Sequence, residues 1–165
     1  MKFFLFCLVS VIANVSGQTL LDVLSSNLEL TTLHHYVNGS SSLTSLLSSL
    51  SGFTLLAPSN AAFSNLLASR NETTISDTEM VELVQYHILN GHFPANSWSS
   101  EPQFVATYLT NPAYTNVTGG QVVELVSDSQ GNPLILSWNK TVSTITTQVR
   151  TLILRGKENH SLTYW

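Results

Sequence analysis

The chain has 165 residues, of which 43% are hydrophobic and only 10% are charged. This length suits one domain with a single core, and the charged fraction is well below the roughly 25% that is typical of soluble domains. The formal net charge is -4, so the sequence lacks the basic surface that would neutralise a phosphate backbone. These values argue against nucleic-acid binding.

The N-terminus has the residue order of a secretory signal peptide. Lys2 precedes an apolar run from Phe3 to Val9, and small residues follow as far as Gly17. Basic, apolar and small residues in this order are typical of a cleaved leader, whereas a membrane anchor needs about 20 apolar residues. A buried N-terminal helix is the alternative. Cleavage near Gly17 also removes Cys7, the only cysteine, so we predict an extracellular protein without disulfides.

Five N-x-S/T sequons follow this leader, and each is a candidate N-glycosylation site. They begin at Asn38, Asn71, Asn116, Asn139 and Asn159. Because the chain is rich in Ser, Thr and Asn, some of these matches will arise by chance, and an unmodified loop is the alternative at each one. Together with the leader they indicate a secreted glycoprotein.

The first part of the mature chain is predicted to form three short helices. Thr19 can cap the first helix, the second runs from Leu30 to an Asn38-Gly39 stop, and the third covers residues 40–51. In the third segment leucine recurs at i, i+3, i+4 and i+7. This spacing favours a helix over a serine-rich linker.

The middle of the sequence predicts a strand followed by two helices. Phe53–Ala57 is an apolar run that predicts a buried strand, and Pro58 ends it because proline cannot donate to a ladder. Ser59 then suits the N-cap of a helix. The S-x-x-E segment Ser76–Glu79 has the form of a capping box and predicts a second helix, which ends at Asn90-Gly91.

After position 91 the pattern changes from helical to extended. Three prolines break the next part into loops and short pieces. Runs rich in β-branched and apolar residues then predict strands at 121–126, 134–138 and 141–147. Helices followed by strands predict the α+β fold class in one compact domain.

Ser59 is the candidate nucleophile of this chain, because it lies between an apolar strand and a helix. A nucleophile elbow needs small residues on both flanks, as in G-x-S-x-G, but the sequence here is Ala57-Pro58-Ser59-Asn60-Ala61. Pro58 also removes a backbone donor, and no histidine or acid is placed to identify a relay. We therefore expect a helix cap and no enzyme activity, with a secreted esterase that uses Ser59 as the alternative.

The histidines and carboxylates do not form a metal or acid–base pattern. His34 and His35 are adjacent and point to different sides of a helix, while His87 and His92 lie five positions apart. Neither pair has the i, i+4 spacing of H-E-x-x-H, and no glycine loop for phosphate occurs. We expect no metal, no cofactor and no small-molecule substrate, with His87 partly buried and the other histidines at the surface.

Three segments of the sequence resemble the fasciclin-like domain family. Phe53–Phe63, F-T-L-L-A-P-S-N-A-A-F, is similar to the first signature of the family, and Leu83–Gly91 is similar to its Tyr-His segment. A G-G-Q stretch within 118–123 follows in the same order as in the family. The resemblance covers residues 19–147, and the Ser-rich composition is similar to that of secreted fungal members.

The resemblance implies a secreted or surface-attached adhesion module, with helices packed around a small β-sandwich or wedge. It also implies a cell-surface or cell-wall protein or glycan as the partner. In animal members the Tyr-His region is associated with receptor-mediated adhesion, so this role would carry over to Tyr86 and His87. The alternative for His87 is a hydrogen bond within the core.

Exposed aromatic residues would support a different function, that of a carbohydrate-binding module. Aromatic rings offer apolar faces for stacking, and the candidates are Trp98, Tyr108 and Tyr114. We take non-catalytic adhesion or cell-wall interaction as the leading prediction and carbohydrate binding as the alternative. The sequence shows no GPI-type tail, so free secretion is expected.

The C-terminal part departs from the family pattern. The family closes with a second signature and a final H-x-[IV]-D strand, and residues 149–165 contain neither. We therefore predict a signal peptide at 1–17, a fasciclin-like domain at 18–148 and an atypical tail at 149–165, with the last strand of the fold missing. A missing strand leaves a sheet edge exposed, which predicts marginal stability.

The composition of the tail suggests a gene-model error. Four of the six Lys and Arg residues lie after position 139. We hypothesise that the tail is read-through of an unspliced intron, because Val149-Arg150 can be encoded by a sequence that matches a splice donor. Sequencing the transcript across the Gln148 codon tests this, and a spliced message that still encodes the tail would rule it out.

Overall fold

The computed structural model describes residues 19–115, 117–137, 142–144, 147–154 and 158–164, the last three ranges by their backbone alone. The α helices are α1 (Leu20–Ser26), α2 (Thr31–Gly39), α3 (Ser41–Ser49), α4 (Asn60–Arg70) and α5 (Asp77–Tyr86), with 3-10 turns at Leu28–Leu30 and Ala95–Ser97. The strands are β1 (Phe53–Ala57), β2 (Ile88–Asn90), β3 (Gln103–Ala106), β4 (Val122–Ser127), β5 (Pro133–Leu136), β6 (Val142–Thr144), β7 (Thr147–Leu154) and β8 (Glu158–Tyr164).

Two of the N-terminal helices, α1 and α3, begin at capping side chains, as predicted for α1, whereas Leu30 before α2 offers none. Thr19 Oγ1 accepts a hydrogen bond from Asp22 N at 3.2 Å, and the Asp22 carboxylate accepts one from Thr19 N at 2.8 Å. This reciprocal pair is a capping box, which satisfies two N–H groups that α1 leaves open. Ser40 caps α3 by accepting from Leu43 N at 3.3 Å.

Strand β1 lies between two hydrophobic cores, and all five of its residues are buried. Phe53, Leu55 and Ala57 belong to the first core, which the apolar faces of α1 to α5 complete. Leu56 points into the second core, where it joins Leu89 of β2 and residues of β3, β4 and β5. Because successive side chains of a strand point to opposite faces, a strand with a core on each side is buried throughout. Its one polar side chain, Thr54, donates from Oγ1 to Gly91 O at 2.8 Å.

The strands form two four-stranded sheets, and the α+β prediction is confirmed. Sheet A has the order β2-β1-β8-β7, and sheet B has the order β3-β4-β5-β6. Sheet B is an antiparallel meander, whereas β1 pairs antiparallel with β2 and parallel with β8. An antiparallel bridge between Leu89 and Thr107 connects the neighbouring edges of the two sheets.

The prediction that the last strand is missing is wrong for the described backbone. Residues 158–164 form β8, which pairs with β1 from Thr54↔Ser161 to Ala57↔Tyr164. Ladder pairing uses backbone N–H and C=O groups, so a segment without the H-x-[IV]-D signature can fill the same place. Strand β1 thus has a neighbour on both sides. The exposed edge beside β1, which was the reason to predict marginal stability, is therefore absent from the described backbone. Marginal stability, the domain boundary at 148/149 and the intron hypothesis stay predictions.

Helix α5 begins as predicted but with half of the expected capping box. Ser76 Oγ accepts from Glu79 N at 3.3 Å. The Glu79 carboxylate does not return to Ser76 but pairs with the guanidinium of Arg70, at the end of α4. A guanidinium offers the carboxylate a full opposite charge, whereas the backbone N–H of Ser76 offers only a dipole, which explains the exchange of partners.

Helix α5 also ends earlier than the Asn90-Gly91 stop predicts. Its last residue is Tyr86, and Ile88–Asn90 form β2, which pairs with Phe53–Leu55 of β1. The turn occurs at His87, whose φ and ψ are -91° and 0°. Tertiary pairing with β1 outweighs the local preference for helix here, a competition that periodicity alone does not reveal.

Three of the four strands of sheet B match the predicted strands at 121–126, 134–138 and 141–147 to within a few residues. Positions 138–141 and 145–146 lie outside the described residues. Strand β3 was not predicted, since the prolines indicated only loops and short pieces.

Gly120 has a φ of +108°, and a Cβ there would lie 2.6 Å from Thr107 O. Only glycine fits this approach, which explains the G-G-Q stretch.

The predicted signal peptide, residues 1–17, lies outside the described part of the chain. Within the described residues, none of the helices combines the length and the apolar character that crossing a bilayer requires.

Candidate interaction site

Tyr86 and His87 lie at the junction between α5 and β2, where the resemblance places an adhesion segment. Their rings meet edge to face, with centroids 5.5 Å apart. Tyr86 is half-buried, and burial raises the pKa of its hydroxyl. His87 is only 8% exposed. Of the two side chains, only Tyr86 therefore offers substantial surface to a partner.

The His87 side chain forms a hydrogen bond within the core, as the alternative for this residue predicts. Its Nδ1 lies 2.6 Å from Leu83 O. Because a carbonyl oxygen only accepts, Nδ1 carries the hydrogen and donates it. Burial lowers the pKa of His87 to about 4, against the opposing effect of the Leu83 hydrogen bond. The ring is therefore neutral at physiological pH, and the adhesion role of this pair stays a prediction.

Ser59 is a helix cap, and its neighbour Asn60 is a joint between helices. Ser59 Oγ accepts from Ala62 N at 3.3 Å and is buried. Asn60 Nδ2 donates to Leu28 O at 2.8 Å, and Asn60 Oδ1 accepts from Thr32 N at 2.9 Å. Both partners lie where the 3-10 turn passes into α2. The A-P-S-N segment thus serves the architecture, and the predicted cap is confirmed.

Replacing Asn60 by alanine is expected to lower the free energy of unfolding by about 2 kcal/mol, because the Leu28 carbonyl and the Thr32 amide both lose a partner. Chemical denaturation measures the change. Asn65→Ala, at an exposed position of the same helix, is the matched control, since it gains the same helix propensity. An equal effect of both substitutions would argue against a stabilising role of the hydrogen bonds from Asn60 to Leu28 and Thr32.

The aromatic residues proposed as sugar-stacking surfaces occupy three different environments. Trp98 is 8% exposed, belongs to the second core and donates from Nε1 to Phe93 O at 3.3 Å. Its ring is therefore not available for stacking, and this part of the carbohydrate-binding alternative is wrong. Tyr108 packs against the first core. Tyr114 is 53% exposed and offers a ring face to solvent.

The predicted sequons divide by position. Asn38 and Asn71 are exposed. Asn116 and Asn139 lie outside the described residues, and Asn159 lies in β8, where only the backbone is described. Glycosylation of each stays a prediction. Among the residues with described side chains, 19–115 and 117–137, no three His, Cys, Asp or Glu side chains group closely enough to hold a metal ion.

The outer face of sheet B is a surface that the sequence analysis missed. Phe104 stands opposite Glu124, Glu124 stands opposite Leu136, and Val126 stands opposite Leu134. Since side chains alternate along a strand, these residues share one face with Val122. The opposite face carries Val105, Val123, Leu125 and Ile135, all buried in the second core. The missed signal was the apolar pair Phe104-Val105, too short a run to predict a strand.

Phe104 is the most exposed part of this outer face, with 72% of its surface accessible. The aliphatic members Val122, Val126, Leu134 and Leu136 are half-buried. Glu124, also half-buried, is the charged member of the set. The outer face of sheet B, defined by these six residues, is therefore a mainly apolar surface with Glu124 at its centre and an aromatic ring at one end.

Comparisons with known proteins identify the family. The model of the fasciclin domain matches residues 28–149. A fasciclin-like arabinogalactan protein of Phaeosphaeria nodorum is 34% identical over 116 residues, which are 70% of this chain and 37% of that protein. A fasciclin-like arabinogalactan protein of Arthroderma benhamiae is 27% identical over 121 residues, which are 71% of this chain and 28% of that protein. This chain thus spans well under half the length of these relatives.

A solved structure supports the same fold. It is that of a FAS1 domain pair from the insect cell adhesion molecule fasciclin I, which matches with a TM-score of 0.53 and 13% identity. The match covers 82% of this chain and 44% of that chain. At this identity the likeness shows the fold alone. From the family match over most of its residues, together with this fold, the chain belongs to the fasciclin-domain family.

Proposed function

We propose that the chain acts as a secreted, non-catalytic adhesion module, which binds a protein of the cell surface or cell wall through the outer face of sheet B. The exposure of Phe104 at 72% is the observation that carries this proposal. Secretion is supported by the leader-like residues 1–17 and by the exposed sequons at Asn38 and Asn71. The family match and the fasciclin-like relatives support the functional class.

The outer face suits a protein partner for three reasons. A large aromatic side chain that stays exposed is the kind of residue that dominates binding energy at interfaces. Aliphatic side chains of β4 and β5 share this face with Phe104, and an exposed apolar patch on a soluble domain marks interaction sites. The carboxylate of Glu124 directly opposite Phe104 adds a charge that can select among partners.

The Tyr86-His87 segment suits direct recognition less well. The His87 ring is buried and its Nδ1 is engaged with Leu83 O. The backbone of this segment is engaged as well, because His87 O accepts from Leu56 N at 2.8 Å and Ile88–Asn90 pair with β1. We therefore infer that this segment holds β2 in place, while contact with the partner occurs on sheet B.

Replacing Phe104 by serine is expected to weaken binding to proteins extracted from fungal cell walls by about 30-fold. This factor corresponds to a loss of about 2 kcal/mol of binding free energy, which is typical of an important interface residue. Surface plasmon resonance with the wild-type and variant proteins measures this. Leu28→Ser is the matched control, because Leu28 is 81% exposed but lies in the N-terminal helical region. Equal binding of wild type and Phe104→Ser, or equal loss in both variants, would overturn the proposal.

A second candidate function is carbohydrate binding through Tyr114, which the exposure of its ring favours. Treating the wall fraction with protease before the binding measurement separates the two candidates. Loss of binding after protease supports the protein partner. Retained binding after protease, together with loss in Tyr114→Ala, supports the sugar.

A further inference from the structure

A groove lies between α2, the end of α4 and the segment that follows α4. It has a volume of about 540 Å³, which is in the range of small-ligand sites. Its lining includes Thr32, His35 and Tyr36 from α2, Leu67 from α4, and Thr73 and Thr74 from the following segment. We refer to it as the α2–α4 groove. None of its described lining residues is Asp, Glu, Lys or Arg, so it suits an uncharged ligand.

The sequon Asn71-Glu72-Thr73 lies at the rim of this groove. Leu67 and Thr73, which both line the groove, stand four residues before and two residues after Asn71. The chain reverses between them, with Asn71 N donating to Ala68 O at 3.2 Å and Glu72 N donating to Leu67 O at 3.0 Å. The reversal therefore holds Asn71 beside the residues that line the groove.

The backbone at Asn71 fixes this position. Asn71 ends α4 in the left-handed conformation, with a φ of 55°. Asparagine tolerates this conformation better than most residues other than glycine, so the sequon residue also suits the turn. The Asn71 side chain is exposed, so the fold leaves room for a glycan on it.

The lining has the chemistry of a sugar-binding surface. Hydroxyl groups of Thr73 and Thr74 can exchange hydrogen bonds with sugar hydroxyls. The rings of His35 and Tyr36, which meet edge to face with centroids 6.0 Å apart, offer apolar area for the C–H face of a pyranose. Tyr36 is held from behind by Phe63, at a centroid distance of 5.8 Å, so this part of the surface is already in place before a ligand arrives.

We propose that Asn71 carries an N-linked glycan and that the first N-acetylglucosamine of this glycan lies in the α2–α4 groove. The glycan is then a structural element as well as a modification, because it covers His35, Tyr36 and Leu67. Attachment to Asn71 makes the contact intramolecular, so weak interactions suffice to hold the sugar there. This proposal shares only secretion with the proposed function and does not depend on the partner of sheet B.

The test uses the full chain expressed through the secretory pathway of a yeast. Peptide mass spectrometry after enzymatic release of glycans in ¹⁸O water shows whether Asn71 is occupied. An endoglycosidase that leaves one N-acetylglucosamine at each occupied sequon gives a second sample, and Asn71→Gly treated in the same way lacks only the sugar at position 71. Glycine keeps the left-handed backbone of this turn, so the substitution adds no strain. We expect the trimmed protein to keep the melting temperature of the untreated protein and trimmed Asn71→Gly to melt about 3 °C lower, the size of one lost contact in a domain of this length.

Two variants serve as controls. Asn38→Gln removes an exposed sequon whose asparagine does not line the groove, and its melting temperature is expected to change by less than about 1 °C. His35→Ala alters the groove at an exposed side chain, and it is expected to reduce the difference between the trimmed protein and trimmed Asn71→Gly by about half. An unoccupied Asn71, equal melting of the trimmed protein and trimmed Asn71→Gly, or a difference that His35→Ala leaves unchanged would each overturn the proposal.

Discussion

Acidification from pH 7 to pH 4 is expected to lower the free energy of unfolding by about 3 kcal/mol through His87 alone. The folded-state pKa of His87 is about 4, because burial disfavours the charged ring, while an unfolded chain gives histidine its usual value of about 6.5. A difference of about 2.5 pKa units corresponds to about 3 kcal/mol. Urea unfolding at a series of pH values measures the loss.

The direction follows from where the proton binds. Above about pH 6.5 the ring is neutral in both states, so the full stability is present. Between about pH 6.5 and pH 4 the unfolded chain takes up a proton that the folded core refuses, and the stability falls as the pH falls. Asp22 and Asp128 have pKa values below the usual 3.8 because hydrogen bonds from Thr19 and Asn132, respectively, favour their charged forms. Their contributions are lost only at more acidic pH.

Two histidine variants separate this effect from general acid sensitivity. His87→Gln keeps a donor for the Leu83 carbonyl and cannot titrate, so its stability is expected to be nearly flat between pH 6.5 and pH 4. His92→Gln, at an exposed position five residues further on, is expected to keep the whole acid-dependent loss. A slope that persists in His87→Gln would show that another group is responsible.

Replacing Phe63 by alanine is expected to lower the free energy of unfolding by about 4 kcal/mol. Phe63 is 2% exposed and belongs to the first core, where its ring packs against Tyr36. Truncation removes buried apolar area and leaves a cavity, a combination that costs about 3 to 5 kcal/mol for phenylalanine. Guanidinium denaturation measures the change.

The control for this prediction is the same substitution at Phe104. Phe104 is 72% exposed, so Phe104→Ala is expected to change the stability by less than about 0.5 kcal/mol. Phe63→Leu, which leaves a smaller cavity, provides a measurable intermediate if Phe63→Ala does not fold. Similar stability losses at both positions would contradict the assignment of one phenylalanine to the core and the other to the surface.

Local signals in the sequence predicted the first half of the fold well. The cap at Thr19, the buried strand at Phe53–Ala57 and the cap at Ser59 are all present. Each depends on contacts between residues that are close along the chain, such as Ser59 Oγ with Ala62 N. Asn60 shows the limit of such reasoning, because its partners Leu28 and Thr32 lie about 30 residues earlier.

The second half was predicted less well because pairing between distant strands decides it. The helix stop at Asn90-Gly91 is a local signal, but the pairing of Ile88–Asn90 with β1 ends α5 at Tyr86. Strand β8 lacks the family signature and pairs with β1 across about 100 residues of sequence. Nothing in either segment alone specifies its partner.

Prediction of the candidate site was limited in the same way, because long-range packing decides which residues are exposed. The family resemblance drew attention to Tyr86 and His87, and the structure shows how burial makes His87 a core residue. Phe104 was missed because its exposure depends on the register between β3 and β4, which places it opposite Glu124 and away from the second core. A four-residue strand gives too few residues for its alternation to be recognised.

Partner binding and core stability depend on different residues, with Phe104 on the outer face of sheet B and His87 buried at the end of α5. The most direct measurement compares the dissociation constant for wall protein and the free energy of unfolding in Phe104→Ser and His87→Gln at pH 7. We expect about 30-fold weaker binding with nearly unchanged stability for Phe104→Ser, and nearly unchanged binding for folded His87→Gln. The reverse pattern, with binding lost in folded His87→Gln and kept in Phe104→Ser, would overturn this separation of roles.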